Sequence, residues 1–445
     1  MYKRKIENTL SLWKTKANHK PLIIKGCRQC GKTSSVLDFA NRNYPHVICL
    51  NFQEHKEYKA FFAGALDVDT LTLAISAGIK GAKFISGKTC LVFDEIQDCP
   101  NARSSLKFFK LDGRYDVICT GSLLGVNGYK SKDDEEDEKN ASIPVGFEQT
   151  VNMYPMDYEE WLWANGIEQQ HIDYLRDCLQ KEQPVNEGIH QRMQELLLRY
   201  IVVGGMPEAV SAFLNTNNMN DVLEVQNGII ETYKADMLKY ARQEDKPRIR
   251  ECFESIPAQL AKENKKFQYS VIRKGARSSQ YKGSLQWIED AGIIHRCHNT
   301  TITELPLNGN AIPDSFKVYM TDIGLLVSML EEGTGWSILQ GNLLSYKGAI
   351  YECLAADMLC KMGRKLYYFQ KEGGLEIDFL LRYKGECYPL ECKAHTGNAK
   401  ALQTVLKHPE HYHIYHALKV GNYNVGRNGP LLTLPFYMTF LLTDV

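Results

Sequence analysis

Short apolar runs alternate with amphipathic stretches in the first part of the chain, from Pro21 to about Leu124. The runs PLII, HVICL, TCLVF and YDVICT have the length of buried strands, and TSSVLDFANR and NARSSLKFFK have helical spacing. Strands that alternate with helices predict a parallel sheet covered by helices. The fold class that we predict for residues 1–150 is therefore α/β.

The pattern changes after residue 150. Apolar residues three and four apart, as in MQELLLRYIVV, predict a helical connector over residues 151–260. Residues 261–335 begin with two short amphipathic helices around a turn at Lys274 and Gly275, followed by a strand, which is typical of a winged helix-turn-helix. A helix and a hairpin in residues 336–445 predict a second α/β domain.

Composition narrows the class of protein. The 445 residues contain 53 Lys and Arg against 53 Asp and Glu, so any attraction to nucleic acid or membrane must be local. Scattered cysteines and an N-terminus without a signal-peptide segment indicate a cytoplasmic location. The most apolar stretch, LLTLPFYMTFLL, is too short for a membrane span, so we interpret it as a buried strand and helix. The acidic run at residues 131–140 is interpreted as a solvated loop; the alternative is a docking site for a basic partner.

The clearest chemical motif follows the first predicted strand. GCRQCGKT has the P-loop spacing and lies between a strand and a helix, where backbone N–H groups converge on phosphate. We expect Lys32 to reach the β- and γ-phosphates and Thr33 to bind Mg²⁺. The predicted nucleotide-binding residues of this segment are Gly26, Cys27, Arg28, Gln29, Cys30, Gly31, Lys32, Thr33 and Ser34. Its C-x-x-C pair also fits redox or zinc chemistry, but no second closely spaced pair completes a metal site.

Two further strands end in polar residues. LVFDE is an apolar strand that ends in two acids, which predicts Asp94 as a magnesium ligand and Glu95 as the residue that polarises the attacking water. YDVICT ends near Ser122, our candidate for sensing the γ-phosphate; the alternative is a simple strand-end turn. Ligands of such sheets bind outside the carboxyl ends of the strands. The sequence therefore predicts a site for ATP, or GTP, with Mg²⁺.

In their order along the chain, several segments resemble the AAA-type ATPases of bacteria and archaea that carry a C-terminal PD-(D/E)xK nuclease-like domain. The segments are IIKGCRQCGKTS, LVFDEIQ, ICTGSLL, YPMDYEEWL, VGGMPEAV, ETYKADM, FKVYMTDIGLL, GLEIDFLL and PLECKA. The resemblance covers nearly the whole chain and implies a homo-oligomer and an arginine finger, for which Arg103 and Arg114 are candidates. The chain departs from the family at Gly146–Glu148, where a Gly-Arg pair is usual.

A local excess of basic residues lies in the predicted winged-helix part. Its members are Lys262, Lys265, Lys266, Arg273, Lys274, Arg277 and Lys282, against the single acid Glu263. Such a segment, residues 262–282, predicts contacts with DNA phosphates of low sequence specificity. The alternative is a solvated helix face on a domain that contacts protein.

Charged residues also interrupt two apolar strands near the C-terminus. Asp378 lies in LEIDFLL, and Glu391 and Lys393 lie in the next strand, at a spacing that fits a hairpin. We expect Asp378 and Glu391 to share a magnesium ion and Lys393 to orient or activate water. The resemblance adds Glu352, on the preceding helix, as a further acidic residue of this site. The alternative is a half-exposed hairpin with a Lys–Glu ion pair.

Two functions follow from these patterns. The first is an ATPase that couples hydrolysis to action on DNA through the nuclease-like domain. The second is an ATP-operated switch that binds a protein partner, with a catalytically silent C-terminal domain.

Overall fold

Two β-sheets organise the part of the chain that the computed structural model describes, which comprises residues 2–123, 146–241, 243–262, 265–342, 346–371, 374–394 and 399–443. The strands are β1 Leu22–Gly26, β2 His46–Asn51, β3 Thr89–Asp94, β4 Asp116–Ser122, β5 Gln149–Asn152, β6 Ile294–Thr300, β7 Ala311–Met320, β8 Leu366–Gln370, β9 Glu376–Tyr383, β10 Glu386–Lys393, β11 Ala417–Gly421, β12 Gly426–Asn428 and β13 Leu431–Pro435. The predicted acidic loop at residues 131–140 lies outside the described ranges.

Helices connect these strands and fill the middle of the chain. They are α1 Ile6–Thr15, α2 Lys32–Asn43, α3 Val68–Gly78, α4 Pro100–Asp112, α5 Tyr158–Ala164, α6 Gln169–Lys181, α7 Glu187–Val203, α8 Pro207–Thr216, α9 Met219–Tyr240, α10 Lys246–Glu254, α11 Ile256–Leu260, α12 Tyr269–Ile272, α13 Ser278–Asp290, α14 Ile323–Ser328, α15 Thr334–Leu339, α16 Lys347–Lys361, α17 Lys400–Lys407 and α18 Pro409–Tyr412.

The first sheet is parallel throughout and has the strand order β2-β3-β4-β1-β5. Alternate residues of β1 face two different cores, because Ile23 packs in one apolar cluster and Leu22 and Ile24 pack in another. Helices α1 and α2 cover one face, and α3 and α4 cover the other. Strands buried on both faces must be apolar along their length. The predicted parallel α/β sheet is therefore confirmed.

Helices α5 to α11 form the segment that the apolar periodicity predicts to be helical. In α7 the buried residues Met193, Leu196 and Tyr200 recur at spacings of three and four, so one stripe of the helix faces the core. Helix α5 begins with a capping box: the Asp157 carboxylate accepts from the Glu160 N–H at 2.8 Å, and the Glu160 carboxylate accepts from the Asp157 N–H at 3.1 Å. Its first turn therefore starts at a defined residue.

The second sheet has eight strands in the order β12-β13-β11-β10-β9-β8-β6-β7 within the described ranges. Strands β9 and β10 form the predicted hairpin, whose turn residues Lys384 and Gly385 have φ angles of 51° and 80°, as a two-residue type I′ turn requires. Strands β6 and β7, from the predicted winged-helix part, join the same sheet through the parallel pair β6–β8. This sheet runs across the predicted boundary after residue 335, and the domain limits stay a prediction.

A buried ion network ties distant segments together. The Lys361 ammonium lies 2.8 Å from the Asp357 carboxylate and 3.5 Å from that of Asp322, and none of the three side chains is more than 1% exposed. Tyr200 donates to Asp357 at 2.7 Å, and Lys361 donates to the Met156 carbonyl at 3.2 Å. Burial raises the pKa of Asp357 to about 6, although the charge of Lys361 opposes that shift. These contacts join α7, α14 and α16 to the chain just before α5.

None of the described helices is long and apolar enough to cross a membrane. The apolar C-terminal stretch instead forms β13 and the 3-10 helix Phe436–Leu441, whose side chains are buried in the main core.

Gly205 provides a test of this packing. Its N–H donates to Asp322 at 2.7 Å, and a Cβ at this position would lie 1.9 Å from the Met156 carbonyl oxygen. We expect Gly205→Ala to destabilise the fold by about 3 kcal/mol, because backbone must move to admit the methyl group. The loss will appear as a lower urea midpoint, followed by circular dichroism.

Gly228→Ala is the matched control, since a Cβ at Gly228, inside α9, meets open space. Alanine is the better helix former, so this variant should be neutral or more stable by about 0.5–1 kcal/mol. Equal midpoints for the two variants would contradict the close approach at Gly205.

Candidate functional site

The loop between β1 and α2 has the geometry of a phosphate cradle. Gly26 ends β1, Lys32 begins α2, and Gln29 and Gly31 have positive φ angles of 62° and 93°. Left-handed residues in such a turn direct successive backbone N–H groups to one point, which forms an anion-binding nest. A Cβ at Gly26 would lie 2.2 Å from the Met153 carbonyl oxygen, so this position requires glycine. The predicted P-loop residues thus lie on one continuous strand–loop–helix element.

Lys32 turns its ammonium group into this loop. The Lys32 Nζ donates to the carbonyl oxygens of Cys27 at 2.8 Å and Gly26 at 3.2 Å. The side chain is only 6% exposed, so a charge is held inside the curve of the loop. Two neutral carbonyl groups are weaker partners for an ammonium than phosphate oxygens are, because only the phosphate oxygens carry a negative charge that attracts the cation. The arrangement therefore suits an incoming anion.

Asp94 is the point where three strands meet the first turn of α2. Its carboxylate accepts hydrogen bonds from the Thr33 hydroxyl at 2.7 Å, from the Asn51 amide at 3.0 Å and from the Thr120 hydroxyl. Burial raises the pKa of Asp94, and the Thr120 and Thr33 hydroxyls oppose that shift. The structure thus brings Thr33 and Asp94 together. Sequence reasoning missed Asn51 and Thr120 in this role, although each is a polar residue at or near the carboxyl end of an apolar strand.

Glu95 and Ser122 adjoin this group. Glu95 has a left-handed backbone, with φ 54° and ψ 51°, which costs a residue other than glycine about 1–3 kcal/mol and is concentrated at functional sites. The Gln97 amide donates to the Glu95 carboxylate. Ser122 is buried at the end of β4, in register with Gly26. Glu95 therefore adjoins Asp94, and Ser122 borders the P-loop.

The two cysteines of the loop are buried thiols. Cys27 and Cys30 are free, and no disulfide is formed among the described cysteines. The Cys30 thiol donates to the Met153 carbonyl at 3.6 Å, and the Arg4 guanidinium donates to the Cys30 carbonyl at 2.9 Å. Within the described ranges, no group of three or more His, Cys, Asp or Glu side chains is arranged to hold a metal ion. The pair thus packs the loop from inside.

Both arginine-finger candidates have acidic partners within the chain. Arg103 pairs with Glu148 at 2.6 Å, and Arg114 pairs with Asp69 at 2.5 Å and with Asp112 at 2.8 Å. Glu148 belongs to the segment in which the resembled family usually has a Gly-Arg pair. In this chain the segment instead supplies an acid, Glu148, that pairs with Arg103 of α4. The arginine finger and the homo-oligomer stay predictions.

The basic segment at residues 262–282 is exposed only in part. Its exposed basic residues are Lys266, Arg273, Lys274, Arg277 and Lys282. Lys262 donates to the Gln268 side chain at 2.8 Å, and Lys265 contacts Glu352 in the interior. Acids also lie near the exposed set, with Lys282 at 3.3 Å from Asp314. The exposed basic residues therefore lie mainly on α13 and the turn before it, and contact of this segment with DNA stays a prediction.

A second group of charges, here called the lysine–carboxylate cluster, consists of Lys265, Lys317, Glu352, Glu376 and Asp378. Glu352 on α16 is 2% exposed and accepts from Lys317 at 3.0 Å, from Lys265 and from the Tyr319 hydroxyl. Lys317 also lies 2.6 Å from Glu376. Burial raises the pKa of Glu352, but the Lys265 and Lys317 charges outweigh it and lower the pKa to about 2. The predicted acidic residue of α16 is thus compensated by lysines of the chain itself.

Asp378 faces the same cluster because β9 is irregular there. The pairing of β8 with β9 shifts register between Tyr367 and Phe369, which leaves an extra residue on the β9 side. The Asp378 carboxylate accepts from the Cys392 N–H at 2.8 Å. Burial and the Glu352 charge raise the pKa of Asp378 to about 7, against the opposing effect of the two lysines. The carboxyl group therefore shares the electrostatic environment of Glu352.

Glu391 and Lys393 lie on the other face of this sheet. In β10, Leu390 packs in the core beneath α16, whereas Cys387 packs in the opposite apolar cluster with α17. Glu391 and Lys393 alternate with Leu390, so they fall on the side of Cys387, and they pair with each other. Opposite residues of a regular hairpin share a face, but the irregular β9 turns Asp378 away. Burial lowers the pKa of Lys393, but the charges of Glu391 and Asp378 outweigh it and raise that pKa. The ion shared by Asp378 and Glu391 therefore stays a prediction.

Comparison with known families supports the reading of the first sheet. Residues 18–162 match the profile of a family described as an AAA domain. Residues 194–335 and 347–435 match two families described as domains of unknown function, DUF8612 and DUF4143. The AAA match and the parallel five-stranded sheet support an AAA-type P-loop ATPase core. No curated protein matches the chain.

Two solved structures are distantly similar. A Walker-type ATPase of Pyrococcus abyssi is 15% identical, with a TM-score of 0.42 and coverage of 74% of this chain and 96% of that one. AMPPCP-bound DnaA from Aquifex aeolicus is 14% identical, with a TM-score of 0.21 and coverage of 64% and 86%. Both scores are too low to carry an argument about this chain.

Glu352→Gln tests whether the lysine–carboxylate cluster is a structural ion group. We expect a loss of about 3 kcal/mol at neutral pH, because two buried ammonium groups lose their shared carboxylate. The folded-state pKa of about 2 lies below the ordinary 4.5, so this stability is present above pH 4.5 and is lost as pH falls toward 2. The difference in urea stability between variant and wild type should therefore shrink as the solution is acidified.

Glu195→Gln serves as the control, since the Glu195–Arg192 pair at 3.1 Å is exposed and should contribute little at any pH. A Glu352→Gln protein as stable as this control would show that the cluster is solvated.

Proposed function

We propose that the chain binds ATP with Mg²⁺ at residues 26–34 and hydrolyses it. The observation that carries this proposal is the convergence of Thr33, Thr120 and Asn51 on Asp94, directly beside a loop that encloses the Lys32 ammonium. A hydroxyl, a carboxylate and a cation then lie at the carboxyl edge of a parallel sheet, where ligands of this class bind. The AAA match over residues 18–162 supports the same function.

The donor set fits a hard divalent cation. Asp94 accepts hydrogen bonds from hydroxyl and amide groups. Among its described contacts, no cation lies within salt-bridge distance, so its negative charge is available to a metal ion. Thr33 and Asp94 would hold Mg²⁺ through oxygen, which that ion prefers. When bound, the ion neutralises charge on the phosphates.

The remaining residues of the site take complementary roles. Lys32 exchanges its two carbonyl partners for phosphate oxygens, and the N–H groups of residues 27–34 bind the other oxygens. Glu95 polarises the attacking water from its strained position next to Asp94. Ser122, in register with Gly26, contacts the γ-phosphate.

For the C-terminal part we favour a switch that contacts a partner over a nuclease. Lys265 and Lys317 already supply positive charge to Glu352 and Glu376, the acids that share the cluster with Asp378. Glu391 pairs with Lys393 on the other face of the sheet. Glu352 and Glu376, which these lysines compensate, therefore have no electrostatic need of a divalent ion.

The nuclease remains the second candidate, because one observation favours it. Asp378 has a pKa raised to about 7, and perturbed carboxyl groups of this kind are concentrated at functional sites. In that candidate, Asp378, Glu391, Lys393 and Glu352 would act after a rearrangement that brings them to one face. DNA would be held through the exposed part of residues 262–282, by phosphate contacts of low sequence specificity.

Lys32→Ala should abolish nucleotide binding, since the loop would keep only backbone donors for several phosphate charges. Glu95→Gln should instead leave binding intact and slow hydrolysis by about 10²–10⁴-fold, the usual cost of losing one general base. The measurements are equilibrium binding of a fluorescent ATP analogue and steady-state release of phosphate with Mg²⁺.

The two variants serve as controls for each other, because both alter one charged side chain of the same site. Unchanged affinity in Lys32→Ala would remove the phosphate-site assignment. Wild-type turnover in Glu95→Gln would mean that another group positions the water.

The two functions of the C-terminal part differ in an assay of DNA cleavage. The assay contains Mn²⁺, ATP and either single- or double-stranded DNA. We expect wild type to show no DNA cleavage beyond that of Asp378→Ala and Lys393→Ala. ATP turnover of these variants should stay near that of wild type, since the two sites lie on different sheets. Cleavage that both substitutions abolish would establish the nuclease and overturn the switch.

A further inference from the structure

Helix α9 lies directly against the P-loop. The Arg28 Nε is 2.7 Å from the Asp236 Oδ2, and the Tyr233 hydroxyl donates to the Arg28 carbonyl at 3.3 Å. Tyr233 and Asp236 are one turn apart on α9, so they present one face of the helix to the loop. The Arg28 and Asp236 side chains are 24% and 13% exposed, which makes this pair better enclosed than an ordinary surface ion pair.

This contact joins two parts of the chain that different families match. Arg28 lies within residues 18–162, which match the AAA domain, and α9 lies within residues 194–335. Neighbouring contacts have the same origin, since the Pro207 side chain would lie 3.5 Å from a Cβ at Gly31. The loop that would hold phosphate is thus also a surface on which the second part rests.

The charges at this contact respond to a nucleotide in opposite ways. Arg28 belongs to the P-loop between β1 and α2, so a triphosphate bound at residues 26–34 would act on its positive charge from within the same loop. A triphosphate in the loop attracts Arg28 and repels the Asp236 carboxylate, which lies 2.7 Å from the Arg28 Nε. Binding of the nucleotide must therefore weaken the hold of Asp236 on Arg28.

We propose that Arg28 is shared between Asp236 and the bound triphosphate, so that nucleotide occupancy loosens the attachment of α9 to the P-loop. This inference rests on the nucleotide site of the proposed function and names the element that responds to it. Asp236 is a positioning residue that acts through Arg28, and Tyr233 keeps the helix in place at the loop backbone. The resulting motion of α9 is the output of the switch.

Asp236→Asn tests the charge competition with almost no change of shape. We expect it to tighten binding of a non-hydrolysable ATP analogue about fivefold, at the lower end of coupling between sites. The ratio of the wild-type Kd to the Asp236→Asn Kd should fall toward one as the salt concentration increases, because salt screens an effect of charge and leaves an effect of packing unchanged. The matched control is Glu231→Gln on the same helix, whose partner is Lys234 at 2.8 Å and whose side chain is 70% exposed.

A double-mutant cycle with Arg28→Gln keeps the test independent of folding defects. Arg28→Gln alone should weaken binding of the analogue. Adding Asp236→Asn to Arg28→Gln should remove the repulsion between Asp236 and the triphosphate, but affinity should rise less than in wild type because no Arg28 is released. Coupling of zero between the two substitutions, or weaker binding in Asp236→Asn than in Glu231→Gln, would overturn the proposal.

Hydrogen exchange of α9 gives a readout of attachment itself. In wild type the analogue should raise amide exchange in residues 230–238, whereas in Asp236→Asn exchange should be raised already and respond little. Slower exchange of α9 on nucleotide binding would contradict the release. If wild type shows no nucleotide binding that Lys32→Ala abolishes, the proposed function and this inference are overturned together. If binding is normal but α9 does not respond, the inference alone is overturned.

Discussion

A charged side chain that is buried away from water needs polar or oppositely charged partners inside the fold. The network around Lys361 meets this requirement with groups from distant parts of the chain. Lys361 is fully buried with Asp357, Asp322 and Tyr200, and it also donates to a carbonyl just before α5. Leaving one buried partner out costs about 3–5 kcal/mol, more than a completed pair contributes. The segments that supply these groups must therefore dock together, which favours one arrangement of the helical part on the second sheet.

The same region continues toward the phosphate loop. Arg4 pairs with Glu160 of the α5 capping box at 3.0 Å and donates to the Cys30 carbonyl at 2.9 Å. Lys5 contacts Asp157, the N-cap of the same helix, at 2.6 Å. A contiguous series of polar contacts thus runs from the buried network through α5 to the P-loop. Together with the Arg28–Asp236 pair, it gives the loop two separate attachments to the rest of the chain.

The two groups of acids in the molecule differ in what surrounds them, and this difference decides their chemistry. Asp94 receives hydrogen bonds from hydroxyl and amide groups, which orient a carboxylate but do not cancel its charge. Glu352 receives two ammonium groups, which cancel it. Hard cations bind where carboxylate charge is uncompensated. The first arrangement supports the proposed site for a metal and nucleotide, and the second supports the proposal that the cluster holds α16 against the sheet.

What the sequence by itself determined is local. Apolar runs that alternate with helical stretches predicted the parallel sheet, the glycine and lysine spacing predicted the loop at residues 26–33, and the spacing of Asp378 and Glu391 along two apolar runs predicted the hairpin of β9 and β10. Each of these depends on backbone preferences or periodicity over a few residues, which single sequences reveal. The polar strand ends likewise pointed to Asp94, and the same signal was present at Asn51 and Thr120.

The tertiary structure alone decided which distant charges meet. Lys265 and Lys317 reach Glu352 from far along the chain, and Asp236 reaches Arg28 across some two hundred residues. An irregularity in β9 accompanies the placement of Asp378 near Glu352 and the buried lysines, which its spacing from Glu391 did not predict. The physical reason is common to these cases. Which charged groups pair depends on their proximity in three dimensions, and which face of a sheet a side chain occupies depends on strand register. Local sequence spacing determines neither.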